Sequence, residues 1–160
     1  MEERYFHKIV GGNFRLDGIQ AAVLRAKLPF LDEWNATRRA NASIYREAFS
    51  KAGLLDKVTL PAEPHKSSGL RDHHIFHQYV IRVPNRDRVQ SILTEKKIGS
   101  AIYYPVPLHL QECFAYLGRQ TGDFPESERA AVESLALPIF PGLRSEEIHE
   151  VVFAIEMALN

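Results

Sequence analysis

The stretch Gly11-Gly12-Asn13-Phe14-Arg15-Leu16-Asp17-Gly18-Ile19-Gln20-Ala21-Ala22 joins a loosened backbone, two polar side chains and the start of a helix. Asp17 followed by Gln20 has the spacing of a capping box, in which two orphan N–H groups are satisfied reciprocally. Beyond it Ile19, Val23, Ala26, Phe30 and Trp34 recur at helical spacing, with Leu24, Leu28 and Leu31 beside them. That is one apolar stripe along a helix. The pattern resumes at Ile44, Tyr45, Ala48 and Phe49, and Gly53 is placed to end it. Pro29 falls inside the run and predicts a kink or a break. Two arrangements fit: one long bent helix crossing between domains, or two helices meeting near Pro29. Main-chain N–H groups and a helix N-terminus attract negative charge, so Asn13 and Arg15 are candidates to hold a phosphate or carboxylate. Arginine grips a planar anion with a bidentate fork. The plainer alternative is a turn at Gly-Gly-Asn and a surface charge at Arg15.

Working outward, residues 1–16 read as an arm without a sustained period. Residues 54–73, with Pro61, Pro64, Ser67, Ser68 and Gly69, predict a short strand and then a loop. His74 to Val83 is rich in β-formers and predicts a strand. Asp87 to Lys97 predicts a helix, Ile98 to Tyr104 a second strand, and Leu110 to Leu117 a short helix. Pro125 opens a helix over 125–135. Leu135 to Phe140 predicts a short strand, and Ser145 caps a final helix to Leu159. The order predicts an α+β domain: a long N-terminal helix, then a small sheet with helices on one face.

The bulk properties exclude several classes. The chain has 160 residues, 45% hydrophobic and 25% charged, with zero formal net charge. One core of ordinary size is expected, and no basic field exists to hold nucleic acid. Cys113 is the single cysteine, which rules out an internal disulfide and points to a reducing compartment. No window approaches the ~20 apolar residues of a membrane helix, and Met1-Glu2-Glu3-Arg4 leads into no apolar signal segment. The expectation is a soluble, cytoplasmic protein.

Four further groups invite chemistry. In Tyr103-Tyr104-Pro105-Val106-Pro107-Leu108-His109-Leu110-Gln111, two prolines stiffen a turn that presents phenols, an imidazole and an amide. Such a turn suits a ligand loop, with His109 bonding a sugar hydroxyl or phosphate; a strand end with buried aromatics fits equally. His73-His74-Ile75-Phe76-His77, with His65 nearby, suggests a metal, but on a strand His74 would oppose His73 and His77 and no Cys lies close in sequence. The expectation is no metal. Asp123 and Glu126 could form a catalytic pair, but beside Pro125 they fit a helix cap better. Cys113 sits in an apolar amphipathic stretch and is expected to be inert.

Together these segments resemble the sugar aminotransferases of the DegT/DnrJ/StrS type. Gly12-Asn13-Phe14-Arg15-Leu16-Asp17 running into Ile19-Gln20-Ala21-Ala22 resembles the family's Gly-x-Asn-x-Arg motif. Phe76-His77-Gln78-Tyr79-Val80-Ile81 resembles its small-domain strand. Tyr104-Pro105-Val106-Pro107-Leu108-His109-Leu110-Gln111 resembles Tyr-Pro-x-Pro-Leu-His-x-Gln. Gly122-Asp123-Phe124-Pro125 with Glu128, and Leu137-Pro138-Ile139-Phe140-Pro141, resemble its last two signatures. The match runs over about residues 5–155 in the family's order.

The resemblance implies the small domain of a fold-type-I enzyme that uses pyridoxal 5'-phosphate (PLP) and works as a homodimer with sites at the interface. It implies amino transfer, commonly from glutamate, to a keto-sugar linked to a nucleotide. On it, Asn13 and Arg15 bind cofactor, and Tyr104, His109 and Gln111 line the nucleotide-sugar site. The implied layout is an arm at the interface (1–16), a long bent interdomain helix (17–53) and a small C-terminal domain (54–160). The family's Schiff-base lysine lies upstream in a large domain. Here only Lys8 precedes Asn13, in Phe6-His7-Lys8-Ile9, which does not match the lysine motif. No catalytic residue is therefore assigned, and the resemblance implies an isolated chain that does not transaminate. Two alternatives stand beside it. One is a non-catalytic interaction module. The other is the tail of a related sugar dehydratase, whose distinguishing histidine would lie outside this chain.

Overall fold

A computed structural model of the chain describes residues 4–160; the first three residues of the arm lie outside it. Helix α1 spans Gly18–Lys27 and opens with the expected box: Asp17 Oδ1 accepts from Gln20 N at 2.7 Å and Gln20 Oε1 from Asp17 N at 3.3 Å. Pro29 then has the expected effect. One 3-10 turn, Leu28–Phe30, separates α1 from α2, Leu31–Lys51. The dihedral angles stay helical through it, so the chain keeps a helical path with an interrupted hydrogen-bond ladder. Gly53, at φ 66°, ends α2 in the left-handed region, where a side chain would be strained.

The sheet is smaller than the sequence predicts. Strand β1, Tyr79–Arg82, pairs antiparallel with β2, Ser134–Leu137, in the register Tyr79↔Leu137 to Arg82↔Ser134. The strand expected within 54–73 is reduced to one bridge, Thr59↔Arg82, and the strand expected over 98–104 to another, Ala101↔Ala136. These bridges extend the two strands into four rows. Pro61, which has no N–H to donate, follows the first bridge by two residues. Helix α3, Arg86–Glu95, and helix α4, Pro125–Glu133, flank the sheet. Helix α4 stops short of 135 because Ser134 and Leu135 belong to β2. In place of the helix expected over 110–117 there are two 3-10 segments, Leu108–Leu110 and Glu112–Leu117.

Helix α5, Ser145–Leu159, closes the molecule. Its N-cap is Arg144 rather than Ser145: Arg144 N donates to Glu147 Oε2 at 2.8 Å. Its apolar face, Ile148, Val151, Val152 and Ile155, packs with α2 and α3 over β1 and β2. Tyr45 of α2 stacks on Tyr79 of β1 with ring centroids 4.7 Å apart. Two polar groups of α2 then pin the segment after β2. Tyr45 Oη donates to the Pro138 carbonyl at 2.9 Å and Asn41 Nδ2 to the Phe140 carbonyl at 3.0 Å. Burial pushes the Tyr45 phenol well above its ordinary range, so it stays a donor. Helix α1 behaves differently: none of its residues is buried, and its apolar stripe is exposed along its length. The architecture is α+β, with a long broken N-terminal helix and a small sheet covered by helices.

Candidate functional site

Asn13 and Arg15 lie on the exposed span between the arm and α1. Arg15 Nε donates to Asn13 Oδ1 at 2.7 Å. That bond orients the guanidinium and leaves its terminal nitrogens, with Asn13 Nδ2, as donors to an outside group. The helix N-terminus itself is already taken, because the Asp17 carboxylate caps it and offsets the dipole there. An anion would therefore be held by the two side chains and not by the α1 terminus. Gly11 and Gly12 do not adopt the left-handed region that a glycine pair suggests; the glycines that do are elsewhere. The span and the first turns of α1 form an open depression of roughly 630 Å³, lined by Arg15, Leu16, Ile19 and Val23 among others.

The Tyr103–Gln111 turn makes a second concave surface, a cavity of roughly 400 Å³ between the arm, the turn and α4. Tyr5, His7, Tyr103, Tyr104, Gln111 and Ser127 line it. The Tyr104 ring is exposed and sits edge-on to Tyr5 at 5.6 Å. His109 is mostly covered. Its Nε2 meets Glu128 Oε1 at 2.9 Å and its ring packs edge-to-face on Phe124 at 4.9 Å. Glu128 also accepts from the N–H groups of Gly122 and Phe124. Partial burial pushes its carboxyl up, but those backbone donors and His109 outweigh it, leaving Glu128 below the ordinary carboxylate range. Gln111 is buried and turned away from solvent, with both ends of its amide bonded to the arm.

Asn13 and Arg15 are thus brought together, and Tyr104, His109 and Gln111 share one turn, but Tyr104 and Gln111 line a different hollow from Asn13 and Arg15, and His109 lines neither. His109 and Gln111 face the protein, while Tyr104 faces outward. Asp123 and Glu126 do not cap α4: Asp123 accepts from Gln120 N, and Glu126 pairs with Arg129. The residue that ties this loop down is Glu128, four to six positions along the chain from its backbone partners. His73 to His77 precede β1 and are not part of a strand. His73 bonds the Leu70 carbonyl at 3.1 Å and Glu63 at 3.0 Å, and His74 Nδ1 accepts from Phe76 N at 3.0 Å. These histidines shape the loop 63–76. All seven lysines are exposed. The donor set on 13–15 fits a phosphate.

The sequence matches the model of the DegT/DnrJ/EryC1/StrS aminotransferase family over residues 1–156. The chain belongs to this family. A UDP-N-acetyl-3-dehydro-α-D-glucosamine 3-aminotransferase from Acidithiobacillus ferrooxidans is 39% identical over 158 residues, covering 99% of this chain and 40% of the relative. A protein of Geobacillus stearothermophilus called pleiotropic regulatory protein is 45% identical over 149 residues, covering 93% and 38%. Among solved structures, Streptomyces venezuelae DesV, crystallised with a ketimine intermediate, superimposes with a TM-score of 0.76 at 33% identity, over 98% of this chain and 40% of that one. The chain therefore spans about two fifths of the length of the family members it matches.

Proposed function

We propose that this chain is the C-terminal portion of a PLP-dependent aminotransferase acting on nucleotide-linked keto-sugars, with glutamate as the amino donor. The observation that carries the reading is the family match over nearly the whole chain, joined to the paired Asn13 and Arg15 donors within it. In the complete protein PLP supplies the electron sink for moving the amino group. The roles of this chain's residues are binding and orientation. Asn13 Nδ2 and the Arg15 terminal nitrogens hold the phosphate, and the Arg15 fork equally suits the donor's carboxylate. Tyr104 offers an exposed ring to the sugar nucleotide, while His109 and Gln111 hold the turn that presents it. The complete protein is a cytoplasmic homodimer in which the apolar face of α1 is covered. Without a desolvated lysine, residues 1–160 alone do not transaminate.

A second reading, a non-catalytic regulatory module, is favoured by one observation: a relative 45% identical carries a regulatory name. One experiment separates them. Residues 1–156 replace the matching segment of the A. ferrooxidans aminotransferase, and amino transfer to that enzyme's own keto-sugar nucleotide is measured. The aminotransferase reading expects a working chimera, and no turnover by residues 1–160 alone. A folded chimera that retains PLP but transfers nothing would overturn it in favour of the module.

A further inference from the structure

Gln111 stands in the turn that resembles a substrate loop, yet its carboxamide is spent inside the protein. Nε2 donates to the Tyr5 carbonyl at 2.8 Å, and Oε1 accepts from His7 N at 3.0 Å. Cys113 N donates to the His7 carbonyl at 3.0 Å, so the 111–113 backbone joins the same contact. The three bonds splint residues 5–7 as a neighbouring strand would, using one side-chain amide in place of a peptide group. The residue type follows from the geometry. The site needs a donor and an acceptor on one planar group. A carboxylate would set oxygen against the Tyr5 carbonyl, and asparagine is one methylene shorter.

The position of the splint gives it a consequence. Residues 8–16 are all exposed, and Asn13 and Arg15 lie among them. At one end this span is fixed by the Asp17–Gln20 box; at the other it is fixed by Gln111. We infer that Gln111 is a positioning residue: it clamps the arm at Tyr5 and His7 and so holds the Asn13–Arg15 span in one path, ready for an anion. The clamp also seats the Tyr5 ring against Tyr104, so one side chain sets both hollows. The clamp stands on the geometry of residues 5–7 and 111–113; its bearing on phosphate rests on the role proposed for Asn13 and Arg15.

The test uses residues 1–160 as they are. Backbone amide exchange is followed by NMR in the wild type, Gln111→Ala and Gln111→Glu, with Ile81 and Leu135 as controls for the fold. Gln111→Ala should lower protection of the His7 amide about tenfold, and Gln111→Glu, which keeps an acceptor for that amide but sets oxygen against the Tyr5 carbonyl, should lower it less; both should leave the control amides unchanged. Unchanged His7 protection in Gln111→Ala overturns the clamp, and full protection in Gln111→Glu overturns its Tyr5 half. Inorganic phosphate is then titrated while the Asn13 and Arg15 amides are watched. The wild type should shift, and Gln111→Ala should need several-fold more phosphate. A wild type that ignores phosphate overturns the role given to Asn13 and Arg15, whereas equal responses in wild type and variant overturn the positioning role.

Discussion

Charging the exposed stripe of α1 should leave the fold intact and abolish self-association. Ile19, Val23, Leu24 and Leu28 are 79%, 48%, 58% and 67% exposed, and no residue of α1 is buried. Their uncovered surface equals roughly two and a half whole side chains, each contributing about 1.5–3 kcal/mol on full burial. A second copy laid against this face would therefore gain about 4–7 kcal/mol per protomer. The two faces together would gain about 8–14 kcal/mol, and an association cost of about 4–15 kcal/mol absorbs most or all of it, so pairing is weak: about 4 kcal/mol left over corresponds to a Kd of roughly 1 mM. Ile19→Glu combined with Leu24→Glu puts two charges into the stripe while keeping good helix formers in place. Sedimentation velocity from about 10 μM to about 1 mM should show concentration-dependent growth for the wild type and a monomer for the variant. Urea unfolding of the two should agree within about 0.5 kcal/mol, as for surface substitutions. A wild type that stays monomeric at every concentration, or a variant that loses stability, would refute the reasoning. The second result would mean that these side chains pack within the chain.

Three other outcomes follow from the packing. Arg86, buried at the start of α3, donates through Nη1 to the carbonyls of Ser134 and Ala131 at 3.0 and 3.3 Å; Arg86→Met orphans both and should cost about 2–4 kcal/mol in urea unfolding, whereas a cost under about 0.5 kcal/mol would remove this staple. Tyr45→Phe leaves the Pro138 carbonyl without its donor and should cost about 1 kcal/mol, read from the same transition. Glu128 has a carboxyl held below its ordinary range in the folded chain, so it stabilises the fold above the unfolded carboxylate range and that contribution is lost as pH falls through the lower folded value. Exchange at the Gly122 and Phe124 amides should quicken in that acid window beyond its intrinsic trend, and Glu128→Gln should flatten the excess; identical profiles would exclude the ion-assisted loop.

The helical frame was legible in the sequence because its signals are local. The Asp17–Gln20 box, the break at Pro29, the Gly53 stop and the final helix to Leu159 each depend on residues within a turn or two, and the structure shows all four. The outer sheet rows were not legible. Runs such as Ile98 to Tyr104 have strand composition, yet pairing depends on a distant partner, and only Ala101 finds one. The polar residues that matter most were hidden for the same reason. Asn41 and Arg86 look like helix surface, and only the long-range contact to a carbonyl reveals their task. Gln111 and His109 carried a visible signal, a polar tip on a proline-stiffened turn, but that pattern serves an inward clamp as well as an outward ligand. The choice between them was made by Tyr5, His7 and Glu128, which lie 19 to 106 positions away.

The central claim is that this chain brings the phosphate-holding pair to a PLP enzyme. The direct measurement is the PLP dissociation constant of the A. ferrooxidans chimera carrying residues 1–156, compared with its Asn13→Ala and Arg15→Ala variants by equilibrium dialysis. Each lost contact to a charged group should weaken retention about tenfold or more, with the melting transition of the cofactor-free chimera unchanged. Equal PLP affinity in all three proteins would contradict the assignment.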